Sequence, residues 1–180
     1  FWATDNVSFD LHRGRVLGLI GRNGSGKTTL LRLLNGIFPP DTGEITVKGR
    51  TGALISLGAG FHPHMTGREN VFLNGAILGL ERDLIEKRYD DIVNFAGIGE
   101  FLDAPVSTYS SGMRVRLGFA IAINVDPSLL LVDEVLAVGD LAFKVKCLQA
   151  IREKLVSGVS VILVSHSMSN IINFTDEVIW

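Results

Sequence analysis

The sequence predicts an α/β fold, in which strands of a sheet alternate with helices and a helical lobe interrupts the alternation mid-chain. Three observations predict it. A glycine-rich stretch, Gly21 to Thr29, stands between a short apolar run and a helical one. A second apolar run, Leu129 to Val132, ends in Asp133 and Glu134. Between the two, from Arg68 to Leu78 and from Arg82 to Ala96, the pattern is that of a helix rather than a strand, in a lobe that ends around Pro127.

Asn6 to Leu11 alternates polar and apolar residues and predicts a half-buried strand, and His12-Arg13-Gly14-Arg15 turns it into a buried strand at Val16 to Ile20. Leu30 to Leu34 continues as a helix, stopped by the turn Pro39-Pro40-Asp41-Thr42-Gly43. Glu44 to Val47 and Ala53 to Leu57 are expected to be short strands, separated by a turn at Lys48-Gly49. Helices follow over Arg68 to Leu78 and Arg82 to Ala96, where Leu84, Ile85, Tyr89, Ile92, Val93 and Ala96 share one face. Tyr89 and Phe95 read as core side chains. After Pro127 the rhythm of strand and helix resumes: strand Ser128 to Asp133, helix Leu141 to Val156, strand Val159 to Ser165, helix Met168 to Phe174, strand Val178 to Trp180.

Gly21-Arg22-Asn23-Gly24-Ser25-Gly26-Lys27-Thr28-Thr29 carries two glycines five apart followed by Lys and a hydroxyl residue. That is the pattern of a phosphate-binding loop. Its glycines let the chain curl so that consecutive N–H groups point inward at an anion, here the β-phosphate of a nucleotide. Lys27 brings a mobile positive charge to the β- and γ-phosphates, Thr28 is placed to bind Mg²⁺, and Thr29 to bond the α-phosphate. The positive end of the following helix points at the same place.

Totals bound the rest. With 180 residues, 47% of them hydrophobic, the chain can bury a sizeable core. A formal net charge of −2 gives no electrostatic argument for a nucleic-acid partner. Cys147 is the one cysteine, so no internal disulfide forms and a reducing compartment is expected. The longest apolar run, Leu117 to Val125, is well short of the roughly 18 residues that cross a bilayer. No charged-then-apolar leader is read at Phe1, and because the chain stops at Trp180 within an expected strand, it is expected to be trimmed at both ends.

Leu129 to Val132 delivers two carboxylates at the C-terminal end of a buried strand, which is where an α/β sheet places its ligand chemistry. Asp133 is expected to hold Mg²⁺ through water, and Glu134 to polarise an attacking water as general base. A third apolar strand, Val161 to Val164, leads to Ser165-His166, and His166 is expected to contact the γ-phosphate.

In this order the pieces resemble the ATP-binding cassette (ABC) family of transporter ATPases. The decisive piece is Tyr109-Ser110-Ser111-Gly112-Met113, followed by Arg114, Arg116 and Leu117, which stands where that family carries its signature. The resemblance implies a P-loop NTPase with a three-layer α/β/α RecA-like core, residues 1–60 and 128–180, and an inserted helical lobe, residues 61–127, forming one nucleotide-binding domain. It implies ATP and Mg²⁺ as ligands and a homodimer with two sandwiched nucleotides. In that dimer Ser110, Ser111, Gly112 and Met113 of one subunit meet the ATP held by the other, and Asp140 couples the two sites. Leu57 to Asn70, the signature's form, and Asp133 to Asp140 leading to Phe143 and Lys146-Cys147 look like the branch that exports O-antigen, capsular polysaccharide and teichoic acid. That branch implies a membrane-spanning permease as partner, met through Phe61 to Asn70, and a place on the cytoplasmic face of the bacterial inner membrane.

The sequence departs from the family pattern at two places. Its one glutamine is Gln149, so Ser56-Leu57-Gly58 stands where the family's Q-loop glutamine belongs, and Met113 closes the signature. The family's adenine-stacking aromatic lies upstream of the phosphate loop, either near Phe1 and Trp2 or before the chain begins. An ABC ATPase serving another exporter, or one acting on nucleic acid or the ribosome, is the alternative; the latter calls for a long coiled-coil insert or a second cassette, and neither is present. A GTPase needs an Asn-Lys-x-Asp element, which the chain lacks.

Overall fold

The computed structural model describes residues 2–55, 57–58, 60–133, 140–165 and 168–180. Two compact units emerge, one of residues 1–55, 127–136 and 151–180, the other of residues 56–126 and 137–150.

The first unit is built on a parallel sheet of five strands: β1 (Val16–Leu19), β2 (Thr51–Leu54), β3 (Leu129–Val132), β4 (Ser160–Val164) and β5 (Glu177–Ile179). Their spatial order is β2-β3-β4-β1-β5. Every residue of β1, β3 and β4 is buried, the consequence of covering a parallel sheet on both faces. Leu17 and Leu19 point to the side where Leu31 of α1 (Lys27–Leu34) completes an apolar cluster with Leu129, Leu131, Ile162 and Val164. Gly18 points the other way, and a Cβ there would come within 2.9 Å of Thr175 and 3.3 Å of Ile171 in α6 (Met168–Phe174). Helices thus lie on both faces of the sheet. At the sheet's other end Asp176 accepts from the Val16 N–H at 2.8 Å and pairs with Arg15, tying the start of β5 to that of β1.

Two expected strands do not form. The described backbone of Asn6–Leu11 and of Glu44–Val47 joins no strand of the sheet. Phe9, Leu11 and Val47 nevertheless pack, partly buried, against the apolar cluster around Leu17, while Val7 is exposed. A strand also needs a neighbour to share its ladder, and alternation carries no information about that neighbour. In addition β2 sits earlier than expected, in register Thr51 to Leu129 and Leu54 to Val132, and ends before Leu57.

The second unit gathers α2 (Gly67–Ile77), α3 (Arg82–Ala96), α4 (Ser111–Ile123) and the first ten residues of α5 (Leu141–Val156). A capping box between Thr66 and Glu69 starts α2, and Gly97, with φ 64°, ends α3 in a left-handed cap. Ile85, Ile92 and Ala96 are buried; Leu84, Tyr89 and Phe95 pack partly buried against the same core, as their spacing predicts. From Leu117 to Ile123 every residue of α4 is buried, so that helix is apolar all round in its second half. Phe95, Phe119 and Phe143 form an aromatic cluster with ring centroids 5.5 to 6.0 Å apart. Lys146 Nζ donates to the Asn94 and Phe95 carbonyls at 3.2 and 3.0 Å, closing the C-terminal end of α3 with a positive charge. Among the described residues no helix is long and apolar enough to cross a membrane.

Candidate functional site

Strands β1, β3 and β4 are parallel neighbours, so the segments leaving their C-terminal ends share one edge of the sheet. Those segments are Gly21–Gly26, Asp133 and Ser165, which brings the glycine loop and the first carboxylate to the edge where ligand chemistry is expected.

The loop turns through an Arg22 carbonyl accepting from the Ser25 N–H at 3.2 Å, and Gly26 enters the helix at φ 88°, ψ 0°. Left-handed backbone at that point is costly for any residue with a Cβ, and a Cβ there would also run into the Ala3 carbonyl. No side chain caps α1, so the first-turn N–H groups of Lys27, Thr28 and Thr29 face outward without a side-chain acceptor. Lys27 Nζ folds back over the loop, donating to the Gly21 and Arg22 carbonyls at 2.9 and 2.8 Å and to Ser25 Oγ at 3.5 Å. An uncapped, positively polarised helix start beside a lysine on a narrow glycine cradle fits a phosphate chain. Thr28 is exposed and Asp133 half-buried. A hydroxyl and a carboxylate are hard oxygen donors of the kind that hold Mg²⁺ with water and phosphate completing its shell. No cluster of three or more His, Cys, Asp or Glu that could hold a metal occurs among the described residues.

In the second unit Ser110 is the N-cap of α4, its Oγ accepting from the Met113 N–H at 3.2 Å. Ser111 is exposed and Gly112 half-buried at the open start of that helix. Asp140 is a cap as well: Oδ1 accepts from the Phe143 N–H at 2.8 Å at the start of α5, while Oδ2 pairs with Arg116 of α4. The Phe143 N–H, and then the Arg116 charge, hold the Asp140 carboxyl below the usual carboxylate range. Arg116 also lies over the Phe143 ring, 4.8 Å from its centroid. Glu134, His166, Ser56 and Phe1 lie outside the described residues. Trp2 is described and mostly exposed, one residue from the Ala3 carbonyl that crosses Gly26.

Two anchoring side chains escaped sequence reasoning. Asn70, fully buried, bonds the backbone of residues 62–66, and Lys146 closes α3. Both lie in stretches that carry the branch resemblance, but nothing local in the sequence signals these bonding roles.

The sequence model of the ABC transporter family matches residues 4–137. The chain belongs to the ABC transporter family. As an ABC ATPase it binds and hydrolyses ATP, and its fold agrees: the "ATP binding subunit of ABC transporter" superposes with a TM-score of 0.86 at 22% identity, over 97% of this chain and 77% of that one. A dimeric, post-hydrolysis "ATP-binding cassette MJ0796 bound to ADP and Pi" gives 0.83 at 22% identity, over 98% and 85%. Among sequence relatives, the O-antigen export system ATP-binding protein RfbB of Klebsiella pneumoniae is 47% identical over all of this chain and 73% of its own length. The teichoic acids export ATP-binding protein TagH of Listeria monocytogenes serotype 4b is 43% identical over all of this ABC ATPase and 53% of its own length.

Proposed function

We propose that this ABC ATPase powers the export of a lipid-linked polysaccharide, an O-antigen, capsular polysaccharide or teichoic acid, from the cytoplasmic face of the bacterial inner membrane. It works as a homodimer attached to a membrane-spanning permease. The observation that carries the reading is the uncapped start of α1 beneath Lys27, on the sheet edge that also presents Asp133. Likeness to export ATPases named for O-antigen and teichoic acids supports the cargo class.

In the proposed cycle the amides of Gly21 to Thr29 hold the phosphate chain, and Lys27 exchanges the Gly21 and Arg22 carbonyls for β- and γ-phosphate oxygens. Thr28 and Asp133 would hold Mg²⁺, which when bound would supply charge screening of the phosphates. Glu134 takes the proton of the attacking water and His166 holds the γ-phosphate in line. Ser110 to Met113 of the second subunit complete the site, because the N-terminus of α4, where Ser110 caps only the Met113 N–H, favours an anion. Losing the γ-phosphate removes that cross-subunit contact and lets the dimer open. Phe61 to Asn70 meets the permease and receives or delivers the movement.

The test is a strain lacking the chain's gene. Surface polysaccharide should vanish and lipid-linked polymer accumulate inside, wild type should restore export, and the Glu134→Gln variant should not. Unchanged surface glycan in the deletion strain would remove the cargo assignment.

A further inference from the structure

One aromatic ring from each of three helices meets inside the second unit: Phe95 of α3, Phe119 of α4 and Phe143 of α5. Cations lie over two of them. Arg116 of α4 stands 4.8 Å from the centroid of Phe143, and Lys146 of α5 stands 4.5 Å from that of Phe95. Each cation thus reaches from its own helix to a ring on another, Arg116 joining α4 to α5 and Lys146 joining α5 to α3. Both also hold oxygen atoms. Lys146 Nζ takes the Asn94 and Phe95 carbonyls, which belong to the last turn of α3 and have no donor within that helix. Arg116 takes the carboxylate of Asp140.

The backbone ties Asp140 to the same rings. The Phe143 N–H donates to Asp140 Oδ1 at 2.8 Å, so the residue whose ring stands edge-to-face against Phe95 and Phe119 also directs the carboxylate that Arg116 holds. Cys147 follows Phe143 by four residues on one face of α5 and is buried as well, with the charges of Lys146 and Arg116 both acting on its thiol. Arg116 lies five residues beyond Ser111 in α4. A shift of α5 against α4 would break the ring contacts, the cap and the ion pair together. Phe143, Lys146 and Cys147, which the sequence marks only through a resemblance, all serve this join.

We propose that Phe143 and Lys146 are positioning residues for ATP turnover: by fastening the first turns of α5 to α3 and α4, they hold the Asp140 carboxylate in fixed register with Ser110–Met113. The proposal rests on the reading that Asp140 and Ser110–Met113 act at a nucleotide shared by two subunits. Neither positioning side chain touches nucleotide in that reading, and each acts through Asp140. Lysine suits position 146 because its stem crosses to α3 and its ammonium carries donors for two carbonyls as well as a charge for the ring. Close-packed rings leave Asp140 little room to drift.

The experiment uses the full-length ATPase as wild type, Lys146→Met, Lys146→Arg, Phe143→Leu and Lys144→Met, each followed by steady-state ATP turnover, Mg-ATP calorimetry and thermal melting. Lys146→Met keeps the stem and removes both carbonyl bonds, so kcat should fall roughly fivefold while KM and Mg-ATP affinity stay within about twofold of wild type. Phe143→Leu keeps an apolar side chain without the ring, and its kcat should fall in the same sense. Lys146→Arg, which still offers donors and a charge, should recover about half of the turnover or more. Lys144→Met takes the same charge from the same helix and should behave as wild type. Lys146 is exposed, so the decision does not wait on whether Phe143→Leu folds. Turnover within about twofold of wild type in Lys146→Met, a loss carried by KM instead of kcat, or a loss that Lys144→Met shares or Lys146→Arg fails to relieve, overturns the positioning role. Dimers that persist in Ser111→Arg overturn the cross-subunit reading and the positioning role with it. If Ser111→Arg blocks dimers while Lys146→Met turns over normally, the positioning role alone fails.

Discussion

Arg116 holds Asp140 by an ion pair while lying over the Phe143 ring, so the helix that begins with Ser111 is fastened to the residue that caps α5. Asp140 closes the segment that starts at Asp133 and contains Glu134. The Arg116→Ala variant should lose the ring contact, about 1 kcal/mol, and melt a few degrees lower. Its kcat for ATP should fall more than its KM rises, because the phosphate loop is untouched. Arg116→Lys should restore part of the charge but not the flat stacking on Phe143. A KM effect without a kcat effect in steady-state assays would show that the pair does not act on the chemical step.

Lys27 is the strongest single test of the phosphate cradle. Its ammonium already bonds two loop carbonyls, so Lys27→Ala removes both a loop brace and a charged partner for phosphate. Calorimetry should show Mg-ATP affinity lower by roughly 10- to 100-fold. Affinity within a factor of two of wild type would move the nucleotide elsewhere.

The cross-subunit reading separates two variants. Glu134→Gln keeps the shape of the side chain and removes the base, so it should bind ATP, turn over at a few per cent of wild type at most, and accumulate as a dimer in light scattering. Ser111→Arg places a long cation at the exposed start of α4, so monomers should still bind ATP and ATP-dependent dimers should be absent. Dimers that persist in Ser111→Arg would sink the signature assignment.

Asp176 sets a pH dependence away from the site. Its carboxyl is held below the usual range, first by the Val16 N–H and then by the Arg15 guanidinium. A carboxylate whose folded pKa is depressed adds stability above its unfolded pKa of about 3.9 and loses it as pH falls through the folded value. Asp176→Asn should therefore melt below wild type at pH 7, and the gap should close as pH drops below about 4. An equal gap at pH 3 and pH 7 would assign the effect to lost hydrogen bonds alone.

Burial pushes the Cys147 thiol up to about 12, and its side chain is enclosed in α5. At pH 8 the native protein should resist iodoacetamide for hours and react within minutes after denaturation, measured as the mass of the alkylated chain. Rapid alkylation of the folded protein would mean that the α5 packing opens readily.

Elements whose cause is local were legible before any coordinates. The extents of α3, α5 and α6 were expected from residues within the helices themselves, and they agree with the structure. The glycine loop was legible for the same reason, because its turn, its cation and its helix start are contiguous from Gly21 to Thr29. Asn6–Leu11 and Glu44–Val47 show where that reasoning stops. Their alternation marked Phe9, Leu11 and Val47, which pack on the core, and Val7, which does not, and a ladder depends on a partner strand that alternation does not name.

By itself the sequence determined the phosphate loop, the acidic strand end, the helical character of the insert and the family to which they point, since each is written in residues a few positions apart. The tertiary structure decided the strand order, the pairing of Arg116 with Asp140 across 24 residues, the burial of Asn70 and the seating of Gly58 on Gly118. Those relations join segments whose separation in the chain says nothing of their separation in space, and only closure of the core brings them within a few ångströms.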